Sequence, residues 1–211
     1  MAKRIPHTDL EVITGEQSVE EYLAMQKKLG RFYLGRFLRI LASQKKKGRF
    51  LEIGSGPGYQ TAEIAERNRD SEIVAVEPSA DMITVAKSYM EQRGLTDRVR
   101  FVEGSVEDEM LINSLGTFDL IYSTFSLHHW QDPVQAIQNL CQVLNEGGVL
   151  LIYDFERHWL TYYLPTTKGI AESVRASYTL KELSSMMAGL NIQKYYRVER
   201  HFPYLYILIV N

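Results

Sequence analysis

The sequence predicts an α/β protein of three layers, in which helices cover both faces of a doubly wound, mostly parallel sheet with an antiparallel end. Short apolar runs alternate with helical patterns between residues 49 and 155, which is typical of βαβ units. The runs VLLIY and DLIY barely alternate polar with apolar residues, as expected of strands covered on both faces. Near the end of the chain, only His201-Phe202-Pro203 separates two β-like runs. That link is too short for a crossover helix, so the two strands are expected to be antiparallel.

The predicted elements follow one another along the chain. Residues 18–43 carry apolar side chains at helical spacings, with Gly30 and Gly35 indicating two helices or a break. Asp132-Pro133 opens a helix, because Asp is a favoured N-cap and Pro is favoured at the first helical position. Residues 156–178 are aromatic and irregular. Strands are predicted at 49–54, 72–77, 98–104, 118–124, 148–155 and in the two runs NIQKYYRVER and YLYILIVN, and helices at 61–68, 80–92, from Pro133 to Gly147-Gly148, and from Thr179 to near Gly189.

Composition bounds the class of protein. The chain of 211 residues is long enough for one domain with a substantial core. Its 24 basic and 26 acidic residues give a formal charge of −2, so no overall basic field favours nucleic acid as a partner. The single cysteine, Cys141, lies in a helical apolar pattern, and the fold therefore does not rely on a disulfide. No apolar run approaches 18 residues, so we expect no membrane span and a cytoplasmic location.

The stretch FLEIGSGPGYQ at residues 50–60 places three glycines at alternate positions where an apolar strand ends. Glycine is favoured where the backbone turns sharply or approaches a ligand closely. The next predicted strand ends in Glu77, an acidic residue placed to accept hydrogen bonds from ribose hydroxyls. The spacing is G-x-G-x-G rather than the dinucleotide pattern G-x-G-x-x-G, and Tyr59 stands where the third glycine would fall. Glu52, two residues before the loop, is unfavourable beside a pyrophosphate and favourable beside an ammonium group.

With these features the chain resembles the class I methyltransferases that use S-adenosylmethionine (SAM), over about residues 18–211. LEIGSGPG is similar to the first motif of that family, and AVEPSADM is similar to the second. RVRFVEGSVED resembles the adenine-contacting segment, and the stretch from FDLIYSTFSLHHW to GGVLLIYD resembles the region of the fourth and fifth strands. The resemblance implies a seven-stranded Rossmann-like methyltransferase fold with the last strand antiparallel, SAM as cofactor and S-adenosylhomocysteine (SAH) as product.

The resemblance also implies a set of cofactor-binding residues. Glu77 would bind the ribose, Pro78 and Met82 would pack against the adenine or ribose, and the backbone of Val106 would meet the adenine ring. Ser105 stands where the family often has Asp, and Glu107 could assist it as an acceptor for the adenine amino group. The remaining implied contacts come from the loop, from the carbonyl of Ser123 and from the N-terminal helices, namely Glu52, Gly54, Ser55, Gly56, Gly58, Ser123 and Tyr33.

The implied reaction is an in-line methyl transfer, in which the protein mainly aligns the reactants and excludes water. A general base helps where the acceptor must lose a proton. His129 occupies a position that is a base in some small-molecule methyltransferases of the family, and His128 adjoins it; both also fit a role in shaping the pocket. The pattern SxxxLHHWxD is similar to small-molecule methyltransferases, including quinone-ring C-methyltransferases. Ser123-Thr124-Phe125-Ser126 differs from the Asn/Asp-Pro-Pro-aromatic motif of DNA and glutamine methylases.

We interpret residues 1–211 as a single methyltransferase domain. Residues 1–48 would form lid and substrate helices, 49–155 the SAM-binding core, and 156–211 a small cap with a helix and two strands. Trp159, Tyr162 and Tyr163 could form an aromatic wall of that cap. The acceptor is expected to be a small molecule. Two other functions are compatible with the motifs: a SAM- or SAH-binding protein without catalysis, and a nicotinamide-dependent oxidoreductase, which the glycine spacing opposes.

Overall fold

The computed structural model of the protein describes residues 3–6, 16–160, 168–190 and 194–211. The helices are α1 (Glu16–Ser43), α2 (Tyr59–Arg67), α3 (Ala80–Arg93), α4 (Glu109–Ser114), α5 (Pro133–Gln142), α6 (Lys168–Ala176) and α7 (Leu180–Gly189). The strands are β1 (Gly48–Ile53), β2 (Ser71–Glu77), β3 (Val99–Glu103), β4 (Phe118–Thr124), β5 (Leu144–Phe155), β6 (Tyr195–His201) and β7 (Tyr204–Val210).

These strands form one seven-stranded sheet in the order β3-β2-β1-β4-β5-β7-β6. β1 to β5 pair in parallel, whereas β7 is antiparallel to both β5 and β6. From β1, an inner strand of the sheet, the chain moves outward through β2 to β3 at the edge and then returns to the other side of β1 with β4. That reversal lies between β1 and β4, and the carboxyl ends of strands at such a point form the usual ligand crevice of open α/β sheets. The predicted fold class is confirmed, including the antiparallel last strand.

Buried apolar side chains lie on both faces of the sheet. Along β1, Phe50 belongs to the core cluster on the α1–α3 side, and Leu51 and Ile53 belong to the cluster on the α4, α5 and α7 side. This alternation follows from the two-residue period of a strand. Both faces of the central strands are covered, which explains why their sequences are almost continuously apolar.

Two helices begin at the residues that the sequence predicted, because local capping contacts form there. The Asp132 side chain accepts a hydrogen bond from the backbone N–H of Gln135 at 3.0 Å, with Pro133 at the start of α5. Thr179 and Glu182 form a reciprocal capping box at the start of α7. Both arrangements satisfy backbone N–H groups that would otherwise lack partners in the first helical turn.

The N-terminal prediction needs correction, because α1 is one continuous helix through Gly30 and Gly35. Gly30 has a packing role there. A Cβ atom at this position would lie 2.3 Å from a ring carbon of Tyr59. Glycine therefore lets α1 pass close to the start of α2, and its presence marks an approach of two elements rather than a helix end.

Two boundaries also differ from the predictions, and two helices were not predicted. The α5 helix ends at Gln142 and β5 begins at Leu144, well before Gly147-Gly148. The reason is a tertiary contact: Phe118 donates its backbone N–H to the Val143 carbonyl and pairs with Leu144, ahead of an irregularity in the β4–β5 ladder. In addition, α4 was not predicted, and residues 168–176 of the segment expected to be irregular form α6.

Candidate active site

A cavity of about 530 Å³ lies at the carboxyl edge of the sheet, within the size range of small-molecule sites. Its wall extends from the carboxyl end of β2 and the segments that follow β2 and β3, past the glycine loop after β1, to the segment that follows β4 and the last residue of β5, with α1 and α6 also contributing. We call the portion formed at and beyond the carboxyl ends of β1, β2 and β3 the β1–β3 half, and the portion formed at and beyond the carboxyl ends of β4 and β5 the β4–β5 half.

The glycine loop adopts backbone conformations that favour glycine. Gly54, Gly56 and Gly58 have φ angles of 74°, 53° and 80°, all in the left-handed region that other residues rarely adopt. A Cβ atom at Gly54 would lie 2.6 Å from the Ser126 hydroxyl oxygen. The alternating glycines are therefore needed both for the turn and for the close approach of the chain that follows β4.

Glu77, the last residue of β2, holds the loop from the side. One carboxylate oxygen accepts the Gly56 backbone N–H at 2.8 Å, and the other accepts the Ser79 backbone N–H at 3.1 Å. Burial raises the pKa of Glu77 above its ordinary value, although these two backbone hydrogen bonds act to lower it. A carboxylate offers about four acceptor positions, so Glu77 retains capacity for hydroxyl groups of a ligand.

The edge of the cavity that follows β3 carries a second polar pair. The Ser105 hydroxyl donates to Glu107 at 2.5 Å, and Glu107 also accepts the Gln131 backbone N–H at 2.7 Å. Ser105, Val106 and Glu107 all line the cavity. Since the hydroxyl proton of Ser105 is directed to Glu107, this pair presents acceptor oxygens to a ligand rather than a free hydroxyl donor.

Glu52 lies behind the cavity wall in a buried polar network. It accepts hydrogen bonds at 3.2 Å from both the Gln60 amide and the Tyr122 hydroxyl. Gln60 also accepts a hydrogen bond from the Thr124 hydroxyl, and both of these residues line the cavity. Burial raises the pKa of Glu52 to about 7, against the lowering effect of its hydrogen bonds. Protonation of Glu52 is therefore coupled to the side chains that support the wall.

The two histidines differ sharply in their surroundings. His128 is buried, and both its backbone N–H and its ring Nδ1 lie 2.9 Å from carboxylate oxygens of Asp154 on β5. His129 is exposed, and its ring centroid lies 4.1 Å from that of His128. The Asp154–His128 contact thus fixes the turn Leu127–His129 to β5 and holds the two rings side by side at the cavity.

Most of the predicted site residues come together on the cavity wall. Those that line it are Tyr33, Gly54, Ser55, Gly56, Glu77, Pro78, Met82, Ser105, Val106, His128 and His129. Three predicted residues lie outside the lining, namely Glu52, Gly58 and Ser123. Gly58 caps α2, and the Ser123 hydroxyl donates to the Ile53 carbonyl at 3.0 Å within the sheet.

The expected aromatic wall of the cap is only partly described. Trp159 is 65% exposed and does not line the cavity, so its predicted place on the wall is wrong. Tyr162 and Tyr163 lie outside the described residues. Aromatic residues do line the β4–β5 half, but Phe125 and Trp130 follow β4 and Phe155 ends β5, so they do not belong to the cap.

Sequence reasoning missed several residues of the site. Asp154 ends an apolar run and gives no local sign of its pairing with His128. Gln60 is part of a helix start, and Phe155 is a single aromatic residue at the end of a strand. The only available signal was the shared position at the carboxyl ends of parallel strands, which predicts proximity but no partner. Further lining residues that the motifs did not identify are Tyr22, Gln26, Tyr59, Thr124, Ser126, Trp130, Ile170 and Ser173.

Comparison with known proteins agrees with this fold. A family model described as a methyltransferase domain matches residues 44–200, which is more than half of the chain. Among solved structures, the plantazolicin methyltransferase BpumL in complex with SAH superposes with a TM-score of 0.67 at 16% identity, covering 93% of each chain. At that identity the likeness supports the fold.

Two curated relatives are closer in sequence but match only the core. A tRNA 5-carboxymethoxyuridine methyltransferase of Escherichia coli strain K12 is 33% identical over 124 residues, which are 58% of this chain and 46% of that protein. The ubiquinone/menaquinone biosynthesis C-methyltransferase UbiE of Idiomarina loihiensis is 30% identical over 108 residues, or 51% of this chain and 42% of that protein. The matches therefore span less than half the length of these two relatives, whose acceptors differ from each other.

Proposed function

This chain belongs to the family of methyltransferase domains, as its motifs predicted, and from that premise we propose that it transfers a methyl group from SAM to a small-molecule acceptor. The proposal treats α1 as a lid, because Tyr22, Gln26 and Tyr33 of this helix line the cavity. We also propose a cytoplasmic location for the protein, because its single cysteine is buried and its fold needs no disulfide.

The observation that carries the proposal is the position of Glu77. Glu77 is the last residue of β2, and its carboxylate accepts the backbone N–H of Gly56 in the glycine loop. It also lines the cavity, which lies at the crevice where the strand order reverses. This is where a nucleoside fits an open α/β sheet. A ribose would find acceptor positions on Glu77, and an adenine amino group would find the oxygens of Ser105 and Glu107. These hydrogen-bond acceptors thus fit the hydroxyl and amino groups of the adenosyl part of SAM.

When bound, SAM supplies a methyl group that is already activated by a sulfonium. The work left to the protein is alignment and exclusion of water. The loop Gly54–Gly58 and Met82 would position the cofactor, while α1 would cover it. We propose that His129, which is exposed beside the cavity, accepts a proton at its ring where the acceptor must lose one. His128 is held by Asp154 and serves to position this turn.

A small-molecule acceptor is favoured over RNA by the distribution of charge. The whole chain has a formal charge of −2, and no Lys or Arg is among the described residues that line the cavity. Nucleic-acid binding usually depends on basic surfaces that neutralise phosphates. The relative UbiE, by its name, acts in quinone biosynthesis, which is compatible with a small acceptor for this chain.

The first experiment is a calorimetric titration of the purified protein with SAM, SAH and NADH. We expect the first two to bind with dissociation constants in the micromolar range and NADH not to bind. Binding of NADH alone would support the oxidoreductase alternative, and binding of none of the three would refute the cofactor proposal.

The next measurement is SAH formation with the small-molecule fraction of a cell extract. SAH binding without turnover on any fraction would favour a binding protein without catalysis.

A further inference from the structure

Five aromatic rings from four parts of the chain meet at the β4–β5 half of the cavity. Phe125 follows β4, Tyr153 and Phe155 belong to β5, Tyr204 begins β7, and Tyr33 belongs to α1. Phe125, Phe155 and Tyr33 line the cavity, and Tyr153 and Tyr204 are buried behind them. The cavity therefore has an aromatic wall with a rigid aromatic backing.

The rings of Phe125 and Phe155 are stacked, with centroids 4.6 Å apart and planes inclined by 28°. Tyr204 lies behind both, with its centroid 5.8 Å from each of them. Tyr153 contacts Phe125 edge-on at 5.8 Å. Such arrangements fix the orientation of the wall rings, because offset and edge-to-face geometries are preferred.

The backbone of Phe125 is unusual in a way that serves this wall. Its φ angle is 53°, a left-handed value that is disfavoured for a bulky side chain and is found mostly at functional sites. Its backbone N–H donates to the Tyr153 carbonyl at 2.8 Å, which holds the turn in place. The strained conformation is thus maintained by the neighbouring strand, and its consequence is a phenyl ring on the cavity wall.

The aromatic pair lies away from the residues assigned to the nucleoside. Glu77 ends β2, whereas Phe155 ends β5, which is three strands further along the sheet. At a spacing of about 4.8 Å between strands, the two positions are separated by roughly 14 Å. The β4–β5 half is therefore on the acceptor side, and it also includes His128, whose ring centroid lies 6.3 Å from that of Phe155.

We propose that the methyl acceptor is a planar aromatic molecule whose ring face lies against the Phe125–Phe155 wall while its edge faces His128 and His129. This inference rests on the proposed function, since it takes the β1–β3 half to be occupied by the cofactor. A flat aromatic ring gains both contact area and a favourable ring–ring geometry on such a wall. A saturated ring of the same size gains contact area but has no ring–ring interaction.

The test compares two probes on the complex with SAH, namely 2-naphthol and its saturated analogue decahydro-2-naphthol. Binding is measured by ligand-observed NMR, after calorimetry has established the affinity for SAH. We expect 2-naphthol to bind more tightly by about 3- to 10-fold. The Phe155→Leu variant should lose that preference while retaining its affinity for SAH. Phe155→Tyr, which retains the ring, should keep the preference, and so should Phe202→Leu, a surface change outside the cavity lining.

The outcomes separate the two proposals. Absence of SAH binding refutes the proposed function, and this inference with it. Intact SAH binding with equal affinity for the two probes refutes the inference alone, as does a Phe155→Leu variant that keeps the preference. If Phe155→Leu does not fold, Phe125→Leu provides the same comparison from the other ring of the pair.

Discussion

The two halves of the cavity are held together by different kinds of contact. In the β1–β3 half, backbone N–H groups of Gly56 and Ser79 bind a single carboxylate, that of Glu77. In the β4–β5 half, one carboxylate, that of Asp154, also accepts backbone N–H groups, but pairs of side chains from different segments are added: the His128 ring with Asp154, and Phe125 with Phe155. Backbone contacts tolerate changes of side chain, whereas contacts between side chains depend on both partners.

This difference indicates where the properties of the protein can vary. A site built from backbone groups and one carboxylate can stay the same while the rest of the sequence changes, and it suits a constant cofactor. A site built from paired side chains changes whenever one partner changes, and it suits a variable acceptor. We therefore expect substitutions in the two halves to have different effects. Those in the β1–β3 half should change cofactor affinity, and those in the β4–β5 half should change stability and turnover.

The largest expected effect is loss of stability in Asp154→Ala. Asp154 accepts hydrogen bonds from the backbone N–H groups of His128 and Phe155 and contacts the His128 ring. Removing a buried acceptor leaves each donor unsatisfied at a cost of about 1–3 kcal/mol, so the free energy of unfolding should fall by about 4 kcal/mol. Urea denaturation measures this change. The exposed Asp70→Ala variant should leave the urea midpoint nearly unchanged. Equal midpoints for the two variants would contradict the role of Asp154.

The next effect is a pH dependence that arises from Glu52, beneath the β1–β3 half. Its folded-state pKa of about 7 lies above the ordinary glutamate value of 4.5, so the folded protein holds a proton that the unfolded chain releases. The stabilisation is complete below about pH 4.5 and is lost as the pH rises through about 7. Relative to Glu52→Gln, which has no such titration, the wild-type free energy of unfolding should fall by up to roughly 3 kcal/mol over this window. A difference that is constant with pH would refute the assignment.

His129→Gln tests the chemistry of the β4–β5 half without altering the cofactor site. If His129 accepts a proton from the acceptor, the rate of SAH formation in single-turnover experiments should fall by about 100-fold, equivalent to about 2.7 kcal/mol. The dissociation constant for SAH should stay within about 2-fold of the wild type. His201→Gln, outside the cavity lining, serves as the control. Unchanged turnover in His129→Gln would reduce this residue to part of the pocket wall.

The smallest of these effects is expected for Glu77→Ala in the β1–β3 half. Loss of hydrogen bonds to the ribose and to the loop should weaken SAH binding by about 30-fold, or roughly 2 kcal/mol. Calorimetry measures the change, and Glu72→Ala, an exposed carboxylate on the same strand, is the matched control. If SAH affinity is the same in both variants, the nucleoside has been placed on the wrong residue.

Much of this site could be predicted because its signals are local. The glycines at alternate positions, the acidic residue at the end of β2 and the Asp132-Pro133 helix start each depend on neighbours within a few residues. The alternation of strands and helices gave the order of elements, and the short final link gave the antiparallel end. Positions such as Pro78, Met82 and Val106 then followed from the resemblance between motifs.

The remaining features depend on the packing of segments that are distant in sequence. Gly30 looked like a break, but the Tyr59 ring that it accommodates arrives from another helix. The last residues of the predicted α5 helix belong to β5 instead, because Phe118 pairs with Leu144. Neither contact leaves a pattern within a single stretch of the chain.

The sequence by itself therefore determined the fold class, the glycine loop and the acidic residue of the β1–β3 half, since backbone geometry and the succession of strands and helices along the chain are encoded in short-range patterns. Only the tertiary structure decided that Asp154 holds His128, that Glu52 lies behind the wall rather than on it, and that Phe125 and Phe155 form a stacked pair. The physical reason is that burial and side-chain pairing depend on which strands become neighbours, and that is a property of the assembled sheet.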